Sequence, residues 1–239
     1  MEENIKGIPI LFENNICILL NKPYGLPVQG GKGVKNSLDS ILTEEISPRP
    51  LLVHRLDRDT SGLILVAKNK EAARFFSALL TGGTLKKDQE IIKQYLGVCF
   101  GVPKPSQGLI KLDLENKDSQ TIYRLVSSGT LTASNQGVSS LFPLQVSLLE
   151  LELITGRMHQ IRRHLSHIGH PLLGDDKYGD FSLNRQLRKN ICLRQMLLHS
   201  SRLIIPPSPK LPKGLDVHAP LPDYFSRFLE GLTCCTHFQ

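Results

Sequence analysis

The sequence of 239 residues has no tryptophan and only 6% aromatic residues, so its hydrophobic core must be largely aliphatic. No apolar run approaches the roughly 18 residues that a transmembrane helix needs. The N-terminal stretch MEENIKGIPI lacks a basic start followed by an apolar segment, unlike a signal peptide or an Arg-rich transit peptide. We therefore expect a cytoplasmic protein, or an organellar one if the source is eukaryotic, without a membrane partner.

Neither the cysteines nor the histidines show a metal-binding pattern. The five cysteines are odd in number and form no CxxC pair, so we expect reduced thiols and no zinc site of the usual spacing. Among the histidines of HQIRRHLSHIGH, only His164 and His167 have tight helical spacing, and no HExxH motif is present. Helix capping or RNA contact explains these histidines better than metal ligation, and no metal is expected.

The charge is basic, with 29 Lys and Arg against 22 Asp and Glu, a net charge of +7. A positive protein attracts polyanions, and nucleic acid is the first candidate. Many soluble proteins are mildly basic, however, so the charge alone leaves both interpretations open.

The hydrophobic pattern predicts many strands and few helices in an α+β fold, a single domain with a large mixed, mainly antiparallel sheet flanked by helices and loops. The alternation in LQVSLLELELIT changes phase near Leu148 and Leu149, which predicts a β-bulge. The predicted strands are ICILLNKP, LLV, GLILVA, KQYLGVCFGVP, LIKLDLE, QTIYRLV, LQVSLLELELIT and MLLHSSRLIIPP. The predicted helices are SLDSILTEEI with Ser37 as its cap, KEAARFFSALL, MHQIRRHLSHIG and LPDYFSRFLEGL.

The stretch LLVHRLDRDTSGLILVA places charged residues between two apolar strands. One interpretation is a polar turn, with Thr60, Ser61 and Gly62 turning the chain back. Asp57 fits a simple turn less well, because HRLD continues directly out of the strand LLV. A carboxylate there loses hydration unless a cation meets it, so Arg55 or a distant arginine has to supply the charge.

A second cluster, LITGRMHQIRRHLSHIGH, follows the strongest predicted strand. Arg162 shares a helical face with Met158 and Leu165, so it should be partly buried and need a carboxylate partner. The basic residues around it form either a solvated helix face or a surface that contacts phosphates.

Two further segments have a plain and a functional interpretation. The loop GLPVQGGKGVKNS does not fit the P-loop pattern, so a flexible loop near a substrate is the better interpretation. Lys93 and Tyr95 lie at the start of a predicted strand. The plain interpretation is a surface lysine and a tyrosine at the edge of the core, and the functional one is a site where the tyrosine stacks on an unstacked base.

Taken together, these segments closely resemble the RluA-type RNA pseudouridine synthases. LNKPYGLPVQGG is similar to the opening signature of that family, and HRLDRDTSGLILVAKN to its catalytic signature. The segments KQYLGV, SQTIYRLV, ITGRMHQIRRHLSHIGHPLLGDDKYGD, LLHSSRL and HAPLPDY match later motifs in the right order. The resemblance implies the pseudouridine synthase fold and an enzyme that isomerises uridine in structured rRNA or tRNA to pseudouridine.

The resemblance also assigns roles. Asp57 is the catalytic aspartate, acting at the anomeric carbon or by abstracting a ribose proton, Tyr95 stacks on the flipped uracil, and Arg162 pairs with the catalytic carboxylate. Arg55 enters the RNA where the target nucleotide leaves it, and Leu198 contributes an apolar wall to the substrate pocket. The expected RNA-binding residues are Arg55, His54, Lys93, Arg157, His159 and Arg163.

No metal or organic cofactor is implied, because the reaction is an isomerisation, and the protein is expected to be a monomer with RNA as its partner. The expected domains are an N-terminal extension (1–15), the pseudouridine synthase catalytic domain (16–232) and a C-terminal tail (233–239). The small RNA-binding domain of some relatives is expected to be absent, and TGGTLKKDQEII looks longer than usual. Two other functions remain open: a non-catalytic RNA-binding or ribosome-assembly protein on the same fold, and an N-glycosidase that releases bases.

Overall fold

The computed structural model describes residues 3–31, 36–81, 90–131 and 143–235, with side chains described as far as residue 232. The strands are β1 (Asn4–Ile5), β2 (Ile8–Glu13), β3 (Cys17–Lys22), β4 (Leu51–Leu52), β5 (Ser61–Ala67), β6 (Ile92–Phe100), β7 (Gln107–Lys111), β8 (Gln120–Leu131), β9 (Leu144–Leu153), β10 (Leu198–Ile205) and β11 (Leu215–His218). The helices are α1 (Leu38–Glu45), α2 (Lys70–Thr81), α3 (Gln160–His167), α4 (Phe181–Ile191) and α5 (Asp223–Cys235).

The chain divides into two compact units. Unit 1 comprises Met1–Lys93 and Ser200–Pro220, and unit 2 comprises Gln94–His199 and Leu221–Gln239.

Unit 1 is built on strands β1, β2, β3 and β5, followed by the part of β10 that begins at Ser200; β4 pairs with β5, and β11 with β10. The registers recorded for β1–β2, β2–β3, β3–β5, β4–β5 and β10–β11 are all antiparallel. Every residue of β5 is buried, as expected for a strand covered on both faces. Helix α2 contributes the fully buried Phe76 to a core shared with Leu63 and Leu203.

Unit 2 has the strand order β6-β9-β8-β7, again with antiparallel registers. Its core joins strand residues such as Val98 and Val146 to Leu187 of α4 and Phe225 of α5. This burial of apolar side chains against helices on a sheet is the usual source of stability for such layers. The predicted α+β class is confirmed, and the registers agree with a mainly antiparallel sheet.

The predicted β-bulge is present, but on the partner strand. The β8–β9 register passes from Leu125 opposite Leu149 to Ser127 opposite Leu148, so Val126 is the extra residue. A bulge in either strand shifts the pairing at the same point. The pattern of one strand therefore located the irregularity without showing which strand carries it.

The predicted helices are all present, and Ser37 caps α1 in a capping box with Ser40. Helix α4 was not predicted, because seven polar or basic residues lie between its few apolar positions. The segment 4–13, part of the predicted N-terminal extension, forms β1 and β2; the domain boundaries themselves remain a prediction. Among the described helices, none is long and apolar enough to span a bilayer. Cys17 and Cys99 are free and buried.

Candidate active site

Asp57 begins a tight turn in unit 1, between the short strand β4 and the buried strand β5. The N–H of Thr60 donates to the carbonyl of Asp57 at 3.1 Å and closes a four-residue turn with Arg58 and Asp59 at its centre. The side chains of Arg58 and Asp59 form an ion pair with an Nε–Oδ1 distance of 3.1 Å. The turn lies earlier than predicted, because β5 already begins at Ser61.

The buried amino group of Lys22 anchors this turn. Lys22 ends β3, and its side chain is fully buried. Its Nζ donates to the carbonyls of Pro23 and Leu26 at 2.9 Å and to that of Arg58 at 3.2 Å. Burial lowers the pKa of Lys22 to about 7, although the negative charges of Asp59 and Asp57 in the turn act to raise it. The backbone that carries Asp57 is thus tied to the preceding strand and loop.

The beginning of β5 also needs a glycine. Gly62 has a φ of +105°, and a Cβ there would lie 2.2 Å from the carbonyl oxygen of Ser200. Only glycine allows that backbone conformation and that close approach at no steric cost. Two strands of unit 1 therefore meet directly after the Asp57 turn.

The residues predicted to bind RNA near Asp57 differ in exposure. Arg55 is exposed and Asp57 is half-buried. The Nε2 of His54 accepts a hydrogen bond of 2.9 Å from the N–H of Leu65, and burial, together with the charge of Lys93, lowers the pKa of His54 to about 3. Lys93 is 9% exposed, and burial lowers its pKa. A contact of His54 with RNA would thus be made by a neutral imidazole.

Tyr95 lies in unit 2, and the next residues on its face of β6, Gly97 and Cys99, are uncharged. Tyr95 is 5% exposed and pairs in register with Leu151 on β9. Two residues further along the same face is Gly97, where a Cβ would lie 3.5 Å from Leu198 Cδ1 and 3.0 Å from Leu172 Cδ2. The predicted wall residue, Leu198, thus lies against the face of β6 that carries the predicted stacking tyrosine.

Arg162 is buried and ion-paired, as its position beside the apolar stripe predicted. Its side chain is 6% exposed. Its Nε and Nη2 donate to Oδ2 and Oδ1 of Asp175 at 2.8 and 2.7 Å, in a two-pronged pair. Asp175 Oδ1 also accepts the N–H groups of Lys177 and Tyr178. Burial would raise the pKa of Asp175, but these hydrogen bonds outweigh it and lower the pKa.

An aromatic ring completes this cluster. The guanidinium of Arg162 lies 5.2 Å from the centre of the Tyr178 ring, and Lys177 Nζ lies 5.3 Å from it. The Tyr178 hydroxyl is 3.0 Å from Nδ1 of His159, a predicted RNA contact. Arg162 is therefore fixed by a carboxylate and a ring that belong to one short segment.

Helix α3 begins two residues later than predicted, at Gln160, after His159 in a left-handed conformation with φ 53°. The buried side chain of Gln160 explains this start, because its Oε1 accepts from Thr155 Oγ1 at 2.7 Å and from the N–H of Arg157 at 3.0 Å. Its Nε2 donates to Thr121 Oγ1 and to a carbonyl of β8. The turn that carries Arg157 and His159 is thus closed around one amide. Arg157 Nε also donates to the Asp118 carbonyl at 3.3 Å.

Two neighbouring residues of α3 have different surroundings. Arg163, a predicted RNA contact, is partly exposed and lies 3.7 Å from Glu115. His164 is fully buried, and its Nε2 is 2.8 Å from the hydroxyl of Ser119, which donates to the Leu112 carbonyl. Because that hydroxyl has one proton, Nε2 of His164 is the donor. Nδ1 is then an acceptor, and among the described residues it has no hydrogen-bond partner.

The burial of His164 predicts a loss of stability in acid. Burial lowers its pKa to about 4 from a usual value of 6.5. Between these two values the unfolded chain binds a proton that the folded chain does not, so stability falls as the pH decreases from 6.5 to 4. The expected contribution is about 3 kcal/mol of unfolding free energy. Urea unfolding of the wild type and of His164→Gln between pH 7 and pH 4 measures it.

His164→Gln should lose the part of the pH dependence that His164 contributes, because an amide does not titrate in this range, whereas the part contributed by His54, whose pKa burial also lowers, remains in both proteins. His218→Gln is the matched control, since His218 is 66% exposed. Its pH dependence should follow that of the wild type. Equal pH dependence in the wild type and His164→Gln would contradict the assignment.

Comparison with known proteins identifies the family. The family model described as RNA pseudouridylate synthase matches residues 16–167. The chain belongs to the RNA pseudouridylate synthase family. Ribosomal large subunit pseudouridine synthase C of Vibrio vulnificus (strain CMCP6) is 31% identical over 225 residues, which cover 93% of this chain and 69% of the relative. The protein of the same name from Pasteurella multocida (strain Pm70) is 34% identical over 227 residues, covering 93% and 67%.

A solved structure supports the same family. Human RNA Pseudouridylate Synthase Domain Containing 4 matches with a TM-score of 0.70 and 26% identity, covering 94% of this chain and 92% of that chain. The predicted family and enzyme class are confirmed: the chain is an RNA pseudouridine synthase, an isomerase. The individual roles assigned to site residues stay predictions.

Sequence reasoning missed two residues of the synthase that the structure places beside Arg162. In the sequence, Asp175 and Tyr178 stand out only as part of the motif that ends in GDDKYGD. The demand of Arg162 for a carboxylate was the available signal, but spacing does not show which acid meets it. The residues 32–35 of the Gly-rich loop and 82–89 of the long segment, with Lys86 and Lys87, lie outside the described residues.

Proposed function

We propose that this synthase isomerises specific uridines of large-subunit ribosomal RNA. The observation that carries the proposal is the match of curated relatives with that function in their names over 93% of this chain. Transfer RNA, the other substrate class considered, has no comparable observation in its favour. We further propose that the enzyme acts as a cytoplasmic monomer.

The proposed mechanism assigns the chemistry to Asp57. Its carboxylate either attacks the anomeric carbon and displaces the uracil, or removes a ribose proton to give a glycal. The uracil then turns and its C5 bonds to the anomeric carbon, as the ester to Asp57 breaks or the glycal takes back its proton. C5 then loses its proton and the freed nitrogen N1 carries one, so that the atoms balance. Substrate and product are isomers, so the net reaction consumes no reductant, oxidant or energy carrier. The anchored turn, with Lys22 bonded to the Arg58 carbonyl, supports a fixed position for this carboxylate.

Arg162 is proposed as the cation that pairs with the carboxylate of Asp57 and orients it. A guanidinium has five N–H donors, and Asp175 accepts from two of those of Arg162. The Asp175 pair would fix the plane of the guanidinium before substrate binds. Tyr95 is proposed to stack on the flipped uracil beside Leu198. Arg55 is proposed to take the place of the flipped nucleotide in the RNA stack, which would offset the few kcal/mol of stacking lost on flipping. RNA contacts are proposed also for His54, Lys93, Arg157, His159 and Arg163.

Pseudouridine maps test the substrate. RNA from cells with and without the gene is treated with carbodiimide, and the stops in reverse transcription are compared. Stops in large-subunit rRNA should be lost without the gene and restored by a plasmid copy. Losses confined to transfer RNA would contradict the proposed substrate class. Release of free uracil by the purified protein would indicate an N-glycosidase instead.

A further inference from the structure

Helix α4 carries an exposed stripe that combines an aromatic side chain with basic ones. Phe181, Arg185 and Arg188 follow at spacings of four and three, which places them on one face, and Lys189 adjoins them. All four are exposed, and Phe181, at 65%, is the most exposed large hydrophobic residue of the described part of the chain. These four residues are called the α4 face below.

The opposite side of α4 holds the helix in place. Leu187 is 1% exposed and lies in the core of unit 2 with Phe225, and Leu183 packs against the same core. Asp180 caps the first turn by accepting the N–H of Leu183 at 2.9 Å. Because the apolar side is fixed in this core, the α4 face cannot turn inward, and Phe181 remains exposed to water.

A chain of hydrogen bonds connects α4 to Arg162. Asn184 is 2% exposed; its Oδ1 accepts the N–H of Gly174, and its Nδ2 donates to the carbonyl of Asp175, both at 2.9 Å. The carboxylate of Asp175 binds Arg162. The α4 face therefore has a fixed position relative to Arg162 within unit 2.

The charges of the α4 face are mostly unbalanced. Arg188 forms an ion pair with Asp176. Arg185 and Lys189 have no acidic partner within 4 Å among the described residues. Exposed cations next to an exposed aromatic ring are complementary to a nucleic acid strand, since the cations meet phosphates and the ring meets an unpaired base.

We propose that the α4 face binds an unpaired segment of the substrate RNA outside the target nucleotide, with Phe181 stacked on a base. This rests on the proposed function only in that the substrate is RNA. The rigid connection through Asn184 and Asp175 would hold the bound strand in register with Arg162. The α4 face would thus select which RNA segments the enzyme engages.

A charge-matched pair of double variants tests the cations. Arg185→Ala with Lys189→Ala removes two exposed charges four residues apart on α4. Lys70→Ala with Arg74→Ala removes two exposed charges at the same spacing on α2. Binding of a fluorescein-labelled single-stranded RNA 20-mer of mixed sequence is followed by anisotropy at several salt concentrations. The α4 double variant should bind about 10-fold more weakly at moderate salt, and its slope of log affinity against log salt should fall by about 1.4. The α2 double variant should retain the wild-type slope.

Variants of Phe181 test the stacking. Phe181→Ala and Phe181→Leu should both bind the same RNA about 10-fold more weakly, and Phe181→Tyr should bind like the wild type. Leucine retains apolar surface but has no ring, so wild-type affinity in Phe181→Leu would overturn the stacking role.

Further outcomes would overturn the proposal as a whole. Equal losses in the α2 and α4 double variants would mean that only net charge matters. Wild-type RNA binding in the α4 double variant, with loss of a self-associated species on gel filtration, would assign the face to a protein contact. Because binding is measured without chemistry, the result does not depend on whether the proposed rRNA substrate or the role of Asp57 holds.

Discussion

Asp57→Asn is expected to lower pseudouridine formation by about 10³-fold or more, which leaves no measurable product in an ordinary assay. The amide has the shape of the carboxylate but neither its negative charge nor its capacity to attack carbon or accept a proton. Activity is measured on purified protein with RNA, by carbodiimide detection of pseudouridine. RNA affinity, measured by anisotropy, should stay within a few-fold of the wild type.

The neighbouring carboxylate supplies the control for Asp57. Asp59 lies in the same turn and is paired with Arg58, so Asp59→Asn changes the same charge two residues away. We expect it to retain most of the activity. The turn itself is held by backbone carbonyls, including the bond from Thr60 to Asp57 and from Lys22 to Arg58. Full activity in Asp57→Asn, or equal loss in both variants, would remove the role assigned to Asp57.

The sequence was sufficient for elements whose pattern is carried by their own residues. The strands β3 and β5 follow from their continuous apolar runs, β6 and β9 from alternation, and the helix α1 from its cap, Ser37. Helix α4 was not predicted because only a narrow face of it is buried, formed by Leu183, Asn184 and Leu187. Asn184 is polar, and its hydrogen-bond partners are backbone groups of a separate segment. A hydrophobic pattern cannot register such a residue.

The site was predictable in part for a similar reason. The ordered motifs around Asp57, Tyr95 and Arg162 identified the family, and the apolar stripe beside Arg162 predicted a buried arginine with a carboxylate partner. The identity of that partner depends on how the chain returns to α3 after Gly174. The two adjacent acids, Asp175 and Asp176, look the same in the sequence, and only the fold distinguishes them.

Asp175→Ala is expected to have the largest effect on stability among single substitutions in unit 2. It leaves the buried guanidinium of Arg162 without this partner and removes the acceptor for the N–H groups of Lys177 and Tyr178. Breaking a buried ion pair in this way costs about 3–5 kcal/mol of unfolding free energy. The loss is measured by urea unfolding at pH 7, where the carboxylate is ionised.

Asp176→Ala is the matched control, because the Asp176 side chain is 63% exposed and pairs with Arg188 at the surface. A surface pair contributes about 0–1 kcal/mol, so the two adjacent alanine variants should differ by several kcal/mol. Asp175→Asn covers the case in which the alanine variant does not fold, since the amide oxygen can still accept from the backbone and from Arg162. Assayed where it is folded, this variant should retain RNA affinity but have a kcat lowered by about 10-fold or more, because a neutral partner fixes the guanidinium less firmly. Equal stability of Asp175→Ala and Asp176→Ala would show that the pair does not hold the fold. An unchanged kcat in Asp175→Asn would show that the charge of Asp175 does not help to position Arg162.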